Sequence, residues 1–456
     1  MSLDSLGTIA LQLLSDHLGI ATFALFAVLI GWQIHRKNKH HAKAEALLDQ
    51  AVQKKADEPL TLHPEIDPSL CAGCGSCVSA CPEGKILQLI DHKAVLVSPT
   101  KCVGHGECER ACPLNAISLV FGTKTRGMDI PRITSDYETN VPGLYIAGEL
   151  GGMGLIRNAI KQGVHAANHA IDAVSKDSSK TDTDLLIIGA GPAGLAAALA
   201  ATQKKVKYIC IEQNSFGGTV FNFPRQKVVM SQPAEVPIFG VMKFKGNKVT
   251  KEELLERWSQ IRKDAKLNIQ ENTRFTELKR DGAHFIVGTS QGPIRAKKVI
   301  LALGVRGSPR KLGLPNEDSE KVAYNLVDPE QYQGKNIAVV GGGNAAVEAA
   351  QYLCRAQYGN KVTLLVRGET MDRCNDENLR LIHECETEGR VKILYQSSVK
   401  SIEPTKIQIQ TKDQESTIAN DYLFVFAGAE MPHKFLMSLG IEIDKKFGEA
   451  LSKRSA

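Results

Sequence analysis

Seven of the chain's eleven cysteines fall between residues 71 and 112, in two copies of one spacing. The first copy is Cys71-x-x-Cys74-x-x-Cys77-x-x-x-Cys81-Pro82, and the second is Cys102-x-x-His105-x-x-Cys108-x-x-x-Cys112-Pro113. Thiolates are soft ligands that select zinc, copper(I) or iron–sulfur centres. Three of them at this interval wrap one iron–sulfur cluster, and the fourth is directed to another. Gly73 and Gly75 let the backbone approach inorganic sulfide and donate hydrogen bonds to it. A zinc site explains neither the Cys-Pro ending nor the duplication. His105 stands where the repeat calls for cysteine, and two readings stay open there. One is a [4Fe–4S] cluster with an imidazole ligand, whose neutral donor raises the potential as in Rieske centres. The other is a [3Fe–4S] cluster that lacks this corner.

Nucleotide chemistry is written in two glycine fingerprints. The apolar run Asp184–Ile188 leads into Gly189-x-Gly191-x-x-Gly194 and the alanine-rich stretch Leu195–Ala201. Gly189 permits the tight turn, Gly191 lets a pyrophosphate reach the helix N-terminus, and Gly194 allows close helix–strand packing. Glu212 ends the next strand, Tyr208–Ile211, where an acid holds the adenosine ribose. The second fingerprint is Asn336–Val340 followed by Gly341-x-Gly343-x-x-Ala346. Its next strand, Val362–Val366, ends in Arg367 and not in an acid. A carboxylate there would repel a 2′-phosphate, whereas Arg367, with Arg373, would pair with it. NADPH is therefore expected over NADH.

The cysteine segment closely resembles a dicluster, bacterial-type ferredoxin. By that family's cross-over ligation, Cys71, Cys74, Cys77 and Cys112 hold one cluster, and Cys102, Cys108 and Cys81 the other, with His105 at the departure. Val141-Pro-Gly-Leu-Tyr-Ile-Ala-Gly148-Glu149 resembles the closing FAD motif of thioredoxin-reductase-like flavoproteins. The resemblance implies that Glu149, in place of the family's Asp, meets the ribityl chain of FAD. Arg157-Asn158-Ala159 is similar to the family's Arg-Gln-Ala at the start of the following helix. That helix would aim its positive end at the flavin and favour the anionic reduced form. Gly217-Gly218-Thr219 also matches the family. Val299–Gly304 resembles the strand by which such chains leave the FAD domain, and Leu423–Gly428 the strand by which they return. Gly440–Asp444 is similar to the lead-in to the closing motif, yet that motif lies at residues 127–174, ahead of the first fingerprint. The order implies a circular permutation of the flavoprotein fold. The alternative is that residues 127–174 close the FAD site of a neighbouring chain in a homodimer.

These sites must be carried by several elements. Four hundred and fifty-six residues exceed a single core. The expected fold is α/β: Rossmann-like FAD and NAD(P) domains, an α+β ferredoxin module and one N-terminal transmembrane helix. The layout is a tail 1–17, a membrane helix 18–34, an exposed helical spacer 35–65 and a ferredoxin domain 66–121. The closing segment 122–174 and the polar linker 175–183 follow. The FAD domain is 184–310, the NAD(P) domain 311–420 and the return 421–456. Leu18–Ile34 carries no charge and is at the short end of the roughly 17–25 residues that span a bilayer. Arg36, Lys37, Lys39 and Lys43 follow it, so the soluble part is expected on the cytoplasmic face of the inner membrane. A signal peptide would need a basic start and a small-residue cleavage site, and neither is present.

A net charge of +6 with 5% aromatics gives no nucleic-acid surface. Cys210, Cys354, Cys374 and Cys385 show no redox spacing and read as structural. Thioredoxin reductases carry a Cys-x-x-Cys before the second fingerprint, but Val322–Gly334 has no cysteine. A cysteine inside the first fingerprint, as in bacillithiol-disulfide-reductase-like chains, is replaced by Ala193. The expected function is a membrane-anchored oxidoreductase joining NADPH, FAD and two iron–sulfur clusters to an electron carrier or quinone. Two rival readings are a flavin-dependent reductase or oxygenase of a small substrate and a non-enzymatic redox sensor. No catalytic acid or base is legible.

Overall fold

The computed structural model describes residues 3–53, 57–59, 61–152, 154–174, 181–230, 233–244, 246, 248–305, 309–412, 414–428 and 431–450. Most of the expected linker 175–183 lies outside these residues. The chain forms two compact units. The smaller holds residues 1–58, 65–99 and 107–117, and the larger holds 59–64, 100–106 and 118–456.

In the smaller unit one helix runs unbroken over Leu3–Gln53. The spacer expected to be exposed continues this helix, and its Ala44 and Ala51 are buried. His41 fastens it to the hairpin Leu87–Ile90/Lys93–Leu96, with Nε2 3.1 Å from the Asp91 amide. Asp91 and His92 both adopt positive φ, as the twist of a two-residue hairpin turn requires. Among the described residues no helix is long and apolar enough to cross a membrane. Within Leu18–Ile34, however, the side chains of 18–24 and 26 lie outside the described set.

The larger unit contains one large mixed sheet and one parallel sheet, besides smaller antiparallel ones. In the first, the strand order is Ile269–Gln270, Tyr208–Ile211, Thr183–Ile188, Ile294–Leu301, then the antiparallel hairpin His284–Thr289/Phe275–Asp281. Ile294–Leu301 changes partner along one edge. Its first residues pair with the hairpin, and Val299–Leu301 pairs in parallel with Leu144–Ile146. Strand Thr183–Ile188 covers the other edge. Leu185–Ile188 and Leu144–Ile146 are continuous apolar runs and fully buried, as central strands covered on both faces are. The second sheet orders Val322–Ala323, Tyr422–Val425, Asn336–Val340, Lys361–Leu365 and Val391–Leu394, all parallel.

Helix Ile156–Asp172 lies against helix Pro192–Gln203 through small residues. Ala166, Ala167 and Ala170 on the first, and Ala193 and Ala196–Ala198 on the second, are buried. At Gly163 a Cβ would lie 2.1 Å from the Ala193 carbonyl oxygen. The two backbones therefore touch where only hydrogen fits.

The C-terminal strand Ile443–Lys446 pairs antiparallel with Met128–Pro131, more than 300 residues upstream. Arg132 grips Asp444 through Nη2 at 2.7 Å and Nε at 3.0 Å, and also pairs with Glu442. Asn140 donates to the Gly440 carbonyl at 2.8 Å and accepts from the Glu442 amide at 2.9 Å. The carboxyl of Asp444 is held below its ordinary range by the Arg132 hydrogen bonds, against opposing burial.

Replacing Gly163 by Ala is expected to destabilise the larger unit by about 1–3 kcal/mol, the usual effect of overpacking. Thermal unfolding followed by FAD release checks this. An unchanged transition would show that the two helices separate freely.

Candidate functional site

Cys71, Cys74, Cys77 and Cys112 line one cavity in the smaller unit, together with Gly73, Gly75, Leu89, Ala94 and Ile117. Gly75 caps helix Ser76–Ala80 in the left-handed conformation, which turns the chain around the cavity. At Gly73 a Cβ would meet the His92 carbonyl oxygen at 2.0 Å, so the loop closes only with glycine. Backbone amides face the sulfurs. Ala116 N donates to Cys112 Sγ at 3.3 Å, and Ala94 N to Cys71 Sγ at 3.5 Å. Four soft donors with amide support around one hollow fit an iron–sulfur cluster. Among the described residues no three His, Cys, Asp or Glu side chains are grouped tightly enough for one metal ion. Of the second set, Cys81 and Cys108 belong to the smaller unit and Cys102 and His105 to the larger. The Cys102 carbonyl accepts from Thr61 Oγ1 at 2.8 Å.

The first fingerprint turns as the sequence implies. Gly189 has φ +107°, and a Cβ there would lie 2.4 Å from the Ala302 carbonyl oxygen. A Cβ at Gly194 would lie 1.8 Å from the Gly189 oxygen, whereas a Cβ at Gly191 would meet nothing within 4 Å. Gly191 precedes helix Pro192–Gln203, so its open face is the place where an anion can approach the helix N-terminus. Glu212 is buried, with one oxygen accepting from Ala190 N at 2.8 Å and the other from Asn214 N at 3.1 Å. Gly217 precedes the short turn Gly218–Val220 that contains Thr219. A Cβ at Gly218 would lie 3.2 Å from Gly191 Cα, so this turn rests on the fingerprint.

The structure brings the Val141–Glu149 motif to the same place, in the same chain. Gly148 stands beside Ala193 and Ala159. Its amide donates to the buried side chain of Gln162 at 2.7 Å, a positioning contact with no signal in the sequence. Glu149 opens a short turn at the end of the Leu144–Ile146 strand. Arg157, Asn158 and Ala159 form the first turn of helix Ile156–Asp172. Burial lowers the Arg157 guanidinium below its ordinary pKa.

At the second fingerprint, a Cβ on Gly341 would meet Phe426 O at 2.7 Å and the buried Ala346 at 2.8 Å. Gly343 faces open space and precedes helix Asn344–Leu353. Arg367 follows the adjacent strand. Arg373 is lowered from its ordinary pKa, by burial first and then by the like charges of Arg126, Arg367 and Arg310. Arg126 and Arg310 join this cluster from distant parts of the sequence, which no local pattern could announce. Asn344 is a further missed residue. Its Oδ1 accepts from the Asn375 amide at 2.9 Å and from Asn378 Nδ2 at 3.1 Å, tying the Arg373 loop to the fingerprint turn.

The four scattered cysteines are all buried. Cys354 and Cys385, unpaired by sequence spacing, hydrogen-bond side by side. Burial pushes the Cys354 and Cys374 thiols up to about 12, which suppresses the reactive thiolate.

Two family profiles match this arrangement. A 4Fe-4S dicluster domain covers residues 63–113, and the pyridine nucleotide-disulphide oxidoreductase profile covers residues 186–454, more than half of the chain. The chain belongs to the pyridine nucleotide-disulphide oxidoreductase family. As a member of that family it is an FAD- and NAD(P)H-dependent oxidoreductase, here carrying a 4Fe-4S dicluster domain. A ferredoxin–NADP reductase from Ignicoccus hospitalis is 30% identical over 271 residues, 58% of this chain and 83% of that one. A bacilliredoxin reductase from Bacillus subtilis is 28% identical, over 58% of this chain and 82% of the relative. Among solved structures, a bacillithiol disulfide reductase from Bacillus cereus superposes with TM-score 0.53 at 25% identity, covering 57% of this chain and 82% of that one.

The open Gly191 and the tightly packed Gly194 of the first fingerprint should behave differently. Gly191→Val is expected to leave the unfolding of flavin-free protein unchanged and to lower FAD content sharply. Gly194→Ala should lower both. Equal stability loss in the two variants would show that Gly191 is structural.

Proposed function

We propose that this oxidoreductase passes electrons between NADPH and a carrier protein or quinone, by way of FAD and two iron–sulfur clusters. The observation that carries the reading is the four-cysteine cavity in a chain whose flavin region offers no thiol. Ala193 occupies the fingerprint position where a cysteine could act, and the remaining cysteines are buried, with burial raising the Cys210, Cys354 and Cys374 thiols. Of the two named relatives, the ferredoxin–NADP reductase is therefore the better functional guide than the bacilliredoxin reductase. When bound, FAD exchanges a hydride with nicotinamide and single electrons with clusters, so that it can join a two-electron donor to one-electron centres.

The chain's own residues bind and orient. Gly191 leaves the helix N-terminus open to the pyrophosphate, Glu212 receives the ribose and Glu149 the ribityl chain. Gly217, Gly218 and Thr219 close over the fingerprint, and Arg157, Asn158 and Ala159 set the helix end beside the flavin ring. Gly341, Gly343 and Ala346 receive the second nucleotide, and Arg367 and Arg373 select its 2′-phosphate by charge-assisted hydrogen bonds. Cys71, Cys74, Cys77 and Cys112 hold one cluster; Cys81, Cys102 and Cys108 hold the other, with His105 as the fourth ligand or beside an open corner. The in-chain pairing of Leu144–Ile146 with Val299–Leu301 supports a circular permutation over a site completed by a neighbour. A membrane anchor at Leu18–Ile34, with the soluble part on the cytoplasmic face, rests on the uncharged run and the basic residues after it. The high exposure of Leu25, Val28, Ile30 and Ile34 supports it.

Anaerobic NADPH titration of the full chain, followed by optical and EPR spectra, tests the reading. Flavin bleaching and cluster reduction should proceed together. Flavin that bleaches while both clusters stay oxidised would sink it. Arg367→Ala is expected to raise the KM for NADPH about 10- to 100-fold, the worth of a charge-assisted hydrogen bond, and to leave that for NADH nearly unchanged.

A further inference from the structure

Within the larger unit the two nucleotide fingerprints belong to separate cores. Ala193, Leu195 and Leu199 pack in one, with Val249 and Trp258, and Val339, Ala346 and Val347 pack in the other, with Leu364 and Phe424. Hydride exchange needs its two nucleotides held in one relation. A segment of the first core, Asn222–Lys251, reaches the second core at three places. The Arg225 amide donates to the Val327 carbonyl at 3.2 Å, and the Arg225 guanidinium faces Asp328 and Glu330 at 3.9 and 3.7 Å. Lys248 Nζ lies 3.3 Å from Glu377. Lys227 Nζ pairs with Glu348 Oε2. Arg225 and Lys248 face solvent, and ion pairs of that kind contribute little. Lys227 and Glu348 are only 17% and 21% exposed, so removing one partner leaves a poorly solvated charge on the other.

Both members of this buried pair are rooted in a fingerprint. Asn222 N donates to the Thr219 carbonyl and Phe223 N to the Val220 carbonyl, each at 3.2 Å, so the chain leaves the Gly218–Val220 turn on a fixed course. The Lys227 carbonyl accepts from Lys251 N at 2.8 Å, and Lys251 Nζ returns to the Phe223 carbonyl at 2.6 Å. On the other side, Glu348 lies on helix Asn344–Leu353, which begins directly after Gly343. Its second oxygen accepts from Asn378 Nδ2 at 3.1 Å, and that nitrogen also donates to Asn344 Oδ1 at 3.1 Å. One ion pair therefore joins the turn that rests on the first fingerprint to the helix that opens at the second.

We propose that Lys227 and Glu348 form a latch that sets the second nucleotide against the flavin, and that they are positioning residues for hydride exchange. The inference rests on the assignment of FAD to the first fingerprint and of the nicotinamide nucleotide to the second. In that exchange the C4–H bond of reduced nicotinamide breaks, and its electron pair travels with the hydrogen to the flavin ring. The reacting atoms must come within about 3–3.5 Å, and a misplacement of about 1 Å set up far from the chemistry costs on the order of 100-fold in rate. A pair that fixes where helix Asn344–Leu353 sits governs that approach without touching either nucleotide. Its loss slows the transfer while both nucleotides still bind.

The test uses the full-length, cofactor-loaded protein and its Lys227→Met, Glu348→Gln, doubly substituted and Lys227→Arg variants. Anaerobic stopped-flow absorbance gives the limiting rate of flavin reduction by NADPH, with reduction by dithionite as the control. NADP⁺ dissociation constants come from flavin absorbance. Hydrogen exchange reports the seam itself through the Arg225 amide, with the amides of strand Asn336–Val340 as the reference. Lys227→Met and Glu348→Gln are each expected to slow reduction by NADPH about 10- to 100-fold and to speed exchange at Arg225. FAD content, NADP⁺ affinity, dithionite reduction and the reference amides should not change. The double variant should be no slower than the slower single variant, as holds for residues that act as a pair, and Lys227→Arg should keep most of the rate. Reduction at the unaltered rate in either single variant overturns the latch, and so does faster reduction, which would mean that the pair holds the two folds apart. Losses that multiply in the double variant overturn it as well. Lost FAD or faster exchange in the reference strand would assign the pair to folding and overturn it too. If NADPH reduces no flavin even in the unaltered protein, the nucleotide assignment fails and the latch with it.

Discussion

Everything on the flavin side depends on one close approach, the contact of helix Ile156–Asp172 with helix Pro192–Gln203 at Gly163 and Ala193. Ala193 is one of the two residues between Gly191 and Gly194, so the contact lies on the first turn of the fingerprint helix. The same residue stands beside Gly148. One backbone segment therefore fixes both the strand end that presents Glu149 and the helix that presents Arg157–Ala159. Gln162, one residue from Gly163, completes the lock by accepting from the Gly148 amide. A larger residue at any of these positions separates the pieces that must meet around one cofactor. Alanines along both helices extend the approach at no cost in side-chain entropy.

The nucleotide side is organised by charge and not by close packing alone. Arg367 follows strand Lys361–Leu365 closely, at the edge where doubly wound sheets bind ligands, and its charge acts on Arg373 together with those of Arg126 and Arg310. Like charges brought together oppose folding unless an anion or the surrounding dipoles offset them. Asn344 and Asn375 show how the scaffold holds such a loop in place, through neutral hydrogen bonds.

Chemistry was more legible in the sequence than placement was. Cysteine spacing named the ligand types, and the resemblance to dicluster ferredoxins grouped Cys71, Cys74 and Cys77 with Cys112. The cavity joins the same four. Glycine positions were legible because each answers a local demand, such as φ +107° at Gly189 or the open face at Gly191. What stayed hidden were contacts between residues far apart in the chain. Arg126 beside Arg373, Cys354 beside Cys385, and Thr100 on Asp372 leave no periodic or spacing signal, because the partners share no element. Gly163 was hidden for another reason. Within a helical pattern it reads as a weak point, and only the neighbouring helix shows that its missing Cβ is the reason it is there. The apolar run Leu18–Ile34 is a different case, since the described side chains cover only its second half.

Strand Ile443–Lys446 pairs with Met128–Pro131 across more than 300 residues of chain. Closing so large a loop is only slowly more unfavourable with length. Arg132 and Asn140 supply specific grips on Asp444, Glu442 and Gly440 to fix that register. The strand that leads to Gly148 and Glu149 follows Cys112 by only about thirty residues of chain, so the cysteine repeat and the closing motif are neighbours in sequence although they belong to different compact units.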